Sequence, residues 1–224
     1  MNSLRVILVL FGKDFREELR RKENVASSLL FALLSLVLFA FALDPTRVNL
    51  NETGGGLLWL VILFAGSLFM GGSFRKETEN GTLQALLLSP TDRSAIYAGK
   101  FLLNLLFLLV LEALLLFFAF VLLDFRPGRG LPALVGSWFA VTFGYAAVGT
   151  LLSALLAQVR GGVVLYPILL FPLMVPLVIA AATLTERALS PRFSWTDPWL
   201  RLVLLFDILF FTASLFLFEY AVEE

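Results

Sequence analysis

Two carboxylates of this chain stand where acids are rarely found: Glu112 and Asp207 each lie inside a long apolar run, flanked by Leu, Val, Phe and Ile. A pair of acids withdrawn from water suits general acid/base work or proton relay. An intramembrane enzyme would need more than this, and the sequence offers neither an HExxH motif nor a nucleophile and base to accompany the pair. Two readings remain for each acid. One is a polar lining of a translocation path or a switch contact between helices; the other is a hydrogen-bonded structural acid facing the bundle interior. Asn104 reads as an interhelical hydrogen bond.

Other chemistry is bounded by what the chain lacks. It has no Cys and no His, which removes disulfides, thiolate sites and imidazole ligands. Axial ligation of a metal cofactor would fall to Met1, Met70, Met174 or a tyrosine. No GxxxxGK[ST] phosphate loop occurs: Gly12 and Lys13 form a Gly-Lys pair, but Asp14 follows and the upstream glycine is missing. Any ATP energy must therefore come from a separate chain. Lys plus Arg equals Asp plus Glu at 17 each, leaving no net field to attract nucleic acid.

The elements that would position these residues are membrane helices. Of the 224 residues 59% are hydrophobic and 15% charged, with a mean hydropathy of +0.91, against about 25% charged in a soluble domain. A bilayer core about 30 Å thick needs roughly 20 apolar residues per helix. Six stretches meet that demand, at 25–43, 57–74, 101–123, 131–157, 163–184 and 199–222. The breaks carry charge or turn residues, including Asp44 with Pro45 and the triplet Gly54, Gly55 and Gly56. After Arg5 only six apolar residues precede Gly12 and Lys13, too short a run for a signal-peptide core.

Cations set the orientation, because Lys and Arg are retained on the cytoplasmic side. An N-terminus inside collects Arg5, Lys13, Arg16, Arg20, Arg21, Lys22, Arg75, Lys76, Arg93, Lys100 and Arg160, which is 11 of 17. Both termini are then expected in the cytoplasm. Residues 1–24 read as an amphipathic helix in the interface plane, with Leu4, Leu8, Phe11, Phe15 and Leu19 on one stripe. It would serve either as an elbow that braces the transmembrane domain and touches a cytosolic partner, or as a plain anchor.

Span four carries small residues on two stripes, Gly136, Ala140 and Gly144, then Gly149, Ser153 and Ala157, for close packing within the subunit or along a dimer seam. Span five holds Pro167, Pro172 and Pro176, so a kinked or broken helix is expected there. An ion-coupled carrier would predict an internal repeat, and none is visible.

The longest expected cytosolic segment, 75–100, reads RKETENGTLQALLLSPTDRSAIYAGK. Leu83, Leu86 and Leu87 have helical spacing, Asn80 can cap a helix start, and Pro90 stops that helix at Ser89. Ser89, Pro90 and Asp92 then form a second start signal, so the helix of span three begins before the membrane. A short helix across the membrane face, with its leucines exposed, suits a groove in a partner protein; an interfacial turn is the alternative.

Here the chain resembles the CcmB family, the permease subunit of the cytochrome c biogenesis heme exporter, within the six-span ABC exporters. The resemblance rests on FRKETENGTLQALLLSP at 74–90 with Lys100 beyond it, on GTLLSALLAQVRGGVVLYPILLFPLMVPLVI at 149–179, and on FREELRRKE at 15–23. It implies an all-α ABC-2-like exporter half with a coupling helix near 79–88. In that role Glu79, Asn80, Gly81, Thr82, Leu83, Leu86, Leu87 and Pro90 would meet a cytosolic ATPase subunit. The turn at Arg160, Gly161 and Gly162 would be a second contact. The resemblance further implies a homodimer, a heme-handling membrane protein, a small one-span subunit and a bacterial or archaeal plasma membrane. This chain would bind no cofactor itself, with ATP on the partner and heme handled by the complex. An exporter of another cargo, such as a lipid or drug, would use the same mechanics.

Overall fold

A computed structural model describes residues 3–43, 50–79, 81–82, 92–122, 130–189 and 193–221. These form eight helices: α1 (Ser3–Arg21), α2 (Glu23–Ala42), α3 (Leu50–Met70), α4 (Arg75–Glu79), α5 (Arg93–Leu122), α6 (Leu131–Leu156), α7 (Gly162–Leu189) and α8 (Pro198–Ala221). Six of them, α2, α3 and α5 to α8, are long and apolar enough to cross a membrane. The expected stretches fall on these six helices, and their ends shift where the local chemistry differs from the simple reading.

The glycine triplet is one such place. Gly54, Gly55 and Gly56 lie inside α3 and do not separate it from what precedes. A Cβ on Gly55 would sit 2.8 Å from Thr185 Cβ and Cγ2, so the glycine lets α3 press against α7. The prolines are another. α7 runs unbroken from Gly162 to Leu189 through Pro167, Pro172 and Pro176, so of the expected kink or break there is no break. Neighbouring helices in a membrane bundle can re-satisfy the carbonyls that each proline frees.

α6 is the centre of the bundle, packed against α3, α5, α7 and α8, while α3 also packs along α7. Its small residues are filled by the chain itself. A Cβ on Gly136 would lie 2.8 Å from the Trp195 ring, and one on Gly149 would lie 2.7 Å from Met70 Cε and 2.8 Å from the Tyr166 hydroxyl. Gly144 faces Asp207 and Phe206. Thr185 ties three helices together: its hydroxyl accepts from Trp59 Nε1 at 3.1 Å and Trp138 Nε1 at 2.8 Å, and donates to the Ala181 carbonyl at 2.7 Å.

Local signals fix the helix ends. Asp197 Oδ1 accepts from the Trp199 amide at 2.9 Å and Pro198 opens α8, a capped start with proline at the first helical position. Asp197 Oδ2 also binds Arg187 at 2.5 Å, which fastens the end of α7 to the start of α8. α1 and α2 meet at Lys22, whose φ of 53° turns the chain in a single residue.

α1 packs mainly against α5. Its buried face differs from the apolar stripe in the sequence: Leu4, Leu8 and Leu19 are exposed, whereas Val6 and Asp14 are buried and Leu10 packs on the core. Gly99 of α5 makes room, since a Cβ there would lie 3.1 Å from Leu10 Cβ.

Candidate functional site

Three polar residues of α5 recur at multiples of four. Lys100, Asn104 and Glu112 are 7%, 0% and 3% exposed, so one face of an otherwise apolar helix is polar and buried. Asn104 and Glu112 find partners on α6, and Lys100 finds its partners on α1 and α4.

Glu112 Oε1 is hydrogen-bonded to the Thr142 hydroxyl, which also lies 2.7 Å from the Trp138 carbonyl. Asn104 Nδ2 donates to Thr150 Oγ1 at 2.8 Å, and its Oδ1 accepts from Ser73 Oγ at 3.4 Å. Eight residues separate Glu112 from Asn104, and eight separate Thr142 from Thr150. The pairing is therefore antiparallel and spans about 12 Å of both helices. It is a polar seam between α5 and α6, where apolar contacts alone give little cohesion in lipid.

One turn further along α5, Lys100 ends the seam in a buried ion cluster. Its ammonium lies 2.5 Å from Glu77 Oε1, 3.0 Å from Asp14 Oδ2 and 2.9 Å from the Ser73 carbonyl. Three oxygens thus take up the three donors of a lysine. Lys13 completes a neutral set, 3.1 Å from Asp14 Oδ1 and 3.5 Å from Glu77 Oε1. Burial alone would lower the Lys13 pKa, but the Asp14 and Glu77 carboxylates outweigh it and hold it above the ordinary 10.5. The Asp14 and Glu77 side chains are 5% and 4% exposed, so neither is stable there without the cations. The cluster joins α1, α4 and α5.

α4 leads into the segment singled out in the sequence. Glu79 is its last residue, Gly81 follows with φ of 66°, and Thr82 Oγ1 bonds the Glu77 carbonyl at 3.3 Å. Glu79 therefore closes one short helix. Asn80, Leu83, Leu86, Leu87, Ser89 and Pro90 lie outside the described residues. Asp92 immediately precedes α5 and is not in its first turn; its carbonyl accepts from the Ala95 amide at 3.0 Å. α5 still starts eight residues before the apolar stretch at 101.

Arg160, Gly161 and Gly162 form the tight connection between α6 and α7, with Gly161 at φ 79° and the Gly162 amide bonded to the Val159 carbonyl at 2.9 Å. Because α6 runs antiparallel to α5, this turn lies on the same face as α4. The end of α8 reaches that face too, where Arg93 donates to the Glu219 carbonyl at 3.0 Å. Asp207 is 6% exposed, and its Oδ1 has no hydrogen-bond partner among the described residues. The structure does not bring Asp207 and Glu112 together as bonded partners.

The cluster was the part that sequence reasoning missed. Lys100 entered only through the count of cytoplasmic cations and a family motif, and Asp14 and Glu77 had no role. A signal was available in the i, i+4, i+8 spacing of Val6, Leu10 and Asp14, and in the i, i+4, i+12 spacing of Lys100, Asn104 and Glu112.

Six apolar helices, two of them joined by a buried polar seam, define a multi-pass membrane protein. Residues 5–224 match the family described as CcmB protein, and the chain belongs to that family, whose members are non-catalytic membrane subunits of a transporter. It is similar to the heme exporter protein B of Pseudomonas aeruginosa, 28% identical over 185 residues that cover 83% of this chain and 82% of that one. The protein of the same description from Paracoccus denitrificans is 29% identical over 206 residues, 92% of each chain. That of Rhodobacter capsulatus is 30% identical over 181 residues, 80% of this chain and 81% of its relative.

Proposed function

We propose that this chain is the membrane-spanning permease subunit of an ABC transporter of cytochrome c maturation. In this role it couples ATP hydrolysis by a separate subunit to heme export or to release of a heme-loaded chaperone. The observation that carries the reading is the family match over residues 5–224, among relatives described as heme exporter protein B. The sequence holds no phosphate loop of its own. ATP then belongs to the partner, and heme is handled by the complex.

The geometry supplies a path for coupling. A segment at 79–90 that docks on an ATPase is rooted in α4, and Glu77 of α4 is bonded to Lys100 at the base of α5. Asp14 brings α1 into the same cluster, and the seam passes the displacement from α5 to α6. α1 acts as an elbow in the interface plane, exposing Leu4, Leu8 and Leu19 to the membrane surface. Arg160, Gly161 and Gly162 offer a second contact on the same face. Both termini lie in the cytoplasm of a bacterial or archaeal cell. Two copies pair with two ATPase subunits, twofold closure being the commonest arrangement of like chains, and a heme-handling membrane protein and a small one-span subunit join them.

Affinity purification of the tagged chain in mild detergent tests this. A nucleotide-hydrolysing subunit in stoichiometric amount is expected; its absence from an intact, folded preparation would overturn the reading.

A further inference from the structure

A second feature adjoins the ion cluster. A cavity of about 520 Å³ opens between the α1–α2 corner and the faces of α3 and α5, within the range of ligand sites, roughly 300–1,000 Å³. Its lining is hydrocarbon apart from two charged residues, Glu18 and Lys22. The Phe69 and Phe107 rings, stacked with centroids 3.6 Å apart, form part of the wall, and Phe15 of α1 and Ala26 of α2 contribute from the other side. A smaller pocket shares Glu18, Phe69 and Leu103 with it and reaches Lys100 and Glu77, so the cavity ends against the cluster.

Its place in the fold limits what fills it. Lys22 is exposed at the corner where the charged helix α1 gives way to the apolar span α2, which is where water meets hydrocarbon. An apolar slot running inward from that level accepts an acyl chain, with a headgroup left at the rim. The rim carries one cation and one anion. Lys22 complements a phosphate, and Glu18 complements a cation attached to that phosphate while opposing a headgroup of net negative charge. A carboxylate accepts several hydrogen bonds, so Glu18 keeps capacity for an ammonium besides its bonds within the chain.

We propose that this cavity is a site for one phosphatidylethanolamine molecule, an acyl chain lying against Phe69 and Phe107, its phosphate on Lys22 and its ammonium on Glu18. The site needs only that the chain spans a membrane; it stands whether or not the heme reading does.

The test uses the full chain, delipidated in mild detergent and incubated with micelles holding phosphatidylethanolamine and phosphatidylglycerol in equal amounts. Retained lipid is then extracted and counted by mass spectrometry. Wild type is expected to keep about one phosphatidylethanolamine per chain and to prefer it about five-fold, the order of one charge contact at a membrane surface, here the Glu18–ammonium contact that phosphatidylglycerol lacks. Ala26→Trp, which fills the slot, should lose it, and Lys22→Glu should retain about five-fold less. Leu30→Trp, on the lipid-facing side of α2 outside the cavity, should keep it. Lys22 is exposed, so its variant carries the test even should Ala26→Trp fail to fold. Equal retention of the two lipids, undiminished lipid in Lys22→Glu, or hemin occupying the slot in place of lipid would overturn the proposal.

Discussion

Lys100 Nζ lies 2.5 Å from Glu77 Oε1, so the base of the longest membrane helix is bonded to the short helix that leads into the segment at 79–90. Twenty-three residues of sequence separate the two, and the bond makes α4 and α5 a single lever. Asp14 on the same ammonium adds α1 to it.

Removing the cation should therefore cost more than a surface pair would. Lys100→Met leaves Asp14 and Glu77 buried without their principal counter-charge, a change of about 3–5 kcal/mol. Thermal unfolding in detergent should show the loss. Adding Asp14→Asn and Glu77→Gln to Lys100→Met should recover most of it, because the one charge left, on the half-exposed Lys13, keeps its contact with water.

The cluster should also loosen in strong alkali. Lys13 is held above its ordinary 10.5, so its share of stability is fully present below that pH and is lost as pH climbs through the raised value. The midpoint of thermal unfolding should fall above pH 10.5 more steeply in wild type than in Lys13→Gln. The difference is small because Lys13 is about half exposed and screened by solvent.

The seam can be probed from either helix. Glu112→Gln keeps a donor and an acceptor for Thr142 and should leave unfolding within about 1 kcal/mol of wild type. Thr142→Val removes the partner of a buried carboxyl and should cost about 1–3 kcal/mol. A Thr142→Val variant as stable as wild type would mean that the contact contributes nothing.

Gly55 supports a different junction. Gly55→Ala drives a methyl into the β-branched Thr185, which has no flexible end to yield, and overpacking of this kind costs about 1–3 kcal/mol. Since Thr185 accepts from both Trp59 and Trp138, the variant's tryptophan emission should shift along with its unfolding midpoint.

The spans were legible because lipid demands long uninterrupted apolar helices, and composition alone reveals these. Glycine and proline were misjudged for a related reason. Gly54 to Gly56 and the prolines of α7 break helices in water, but in a bundle close packing and neighbouring helices compensate them. The ion cluster was hidden because residues 13, 14, 77 and 100 meet only after three helices dock. Asp14 had no place in the reading of the amphipathic helix, although it is in phase with Val6 and Leu10 on the face that α1 buries.

The most direct test of the coupling itself is ATP hydrolysis by the ATPase subunit reconstituted with this chain in vesicles. Glu79→Lys combined with Leu83→Ala and Leu86→Ala should abolish stimulation by the chain, and Lys100→Met should weaken it while the ATPase still binds. Unchanged stimulation in the triple variant, correctly inserted in the membrane, would contradict the account.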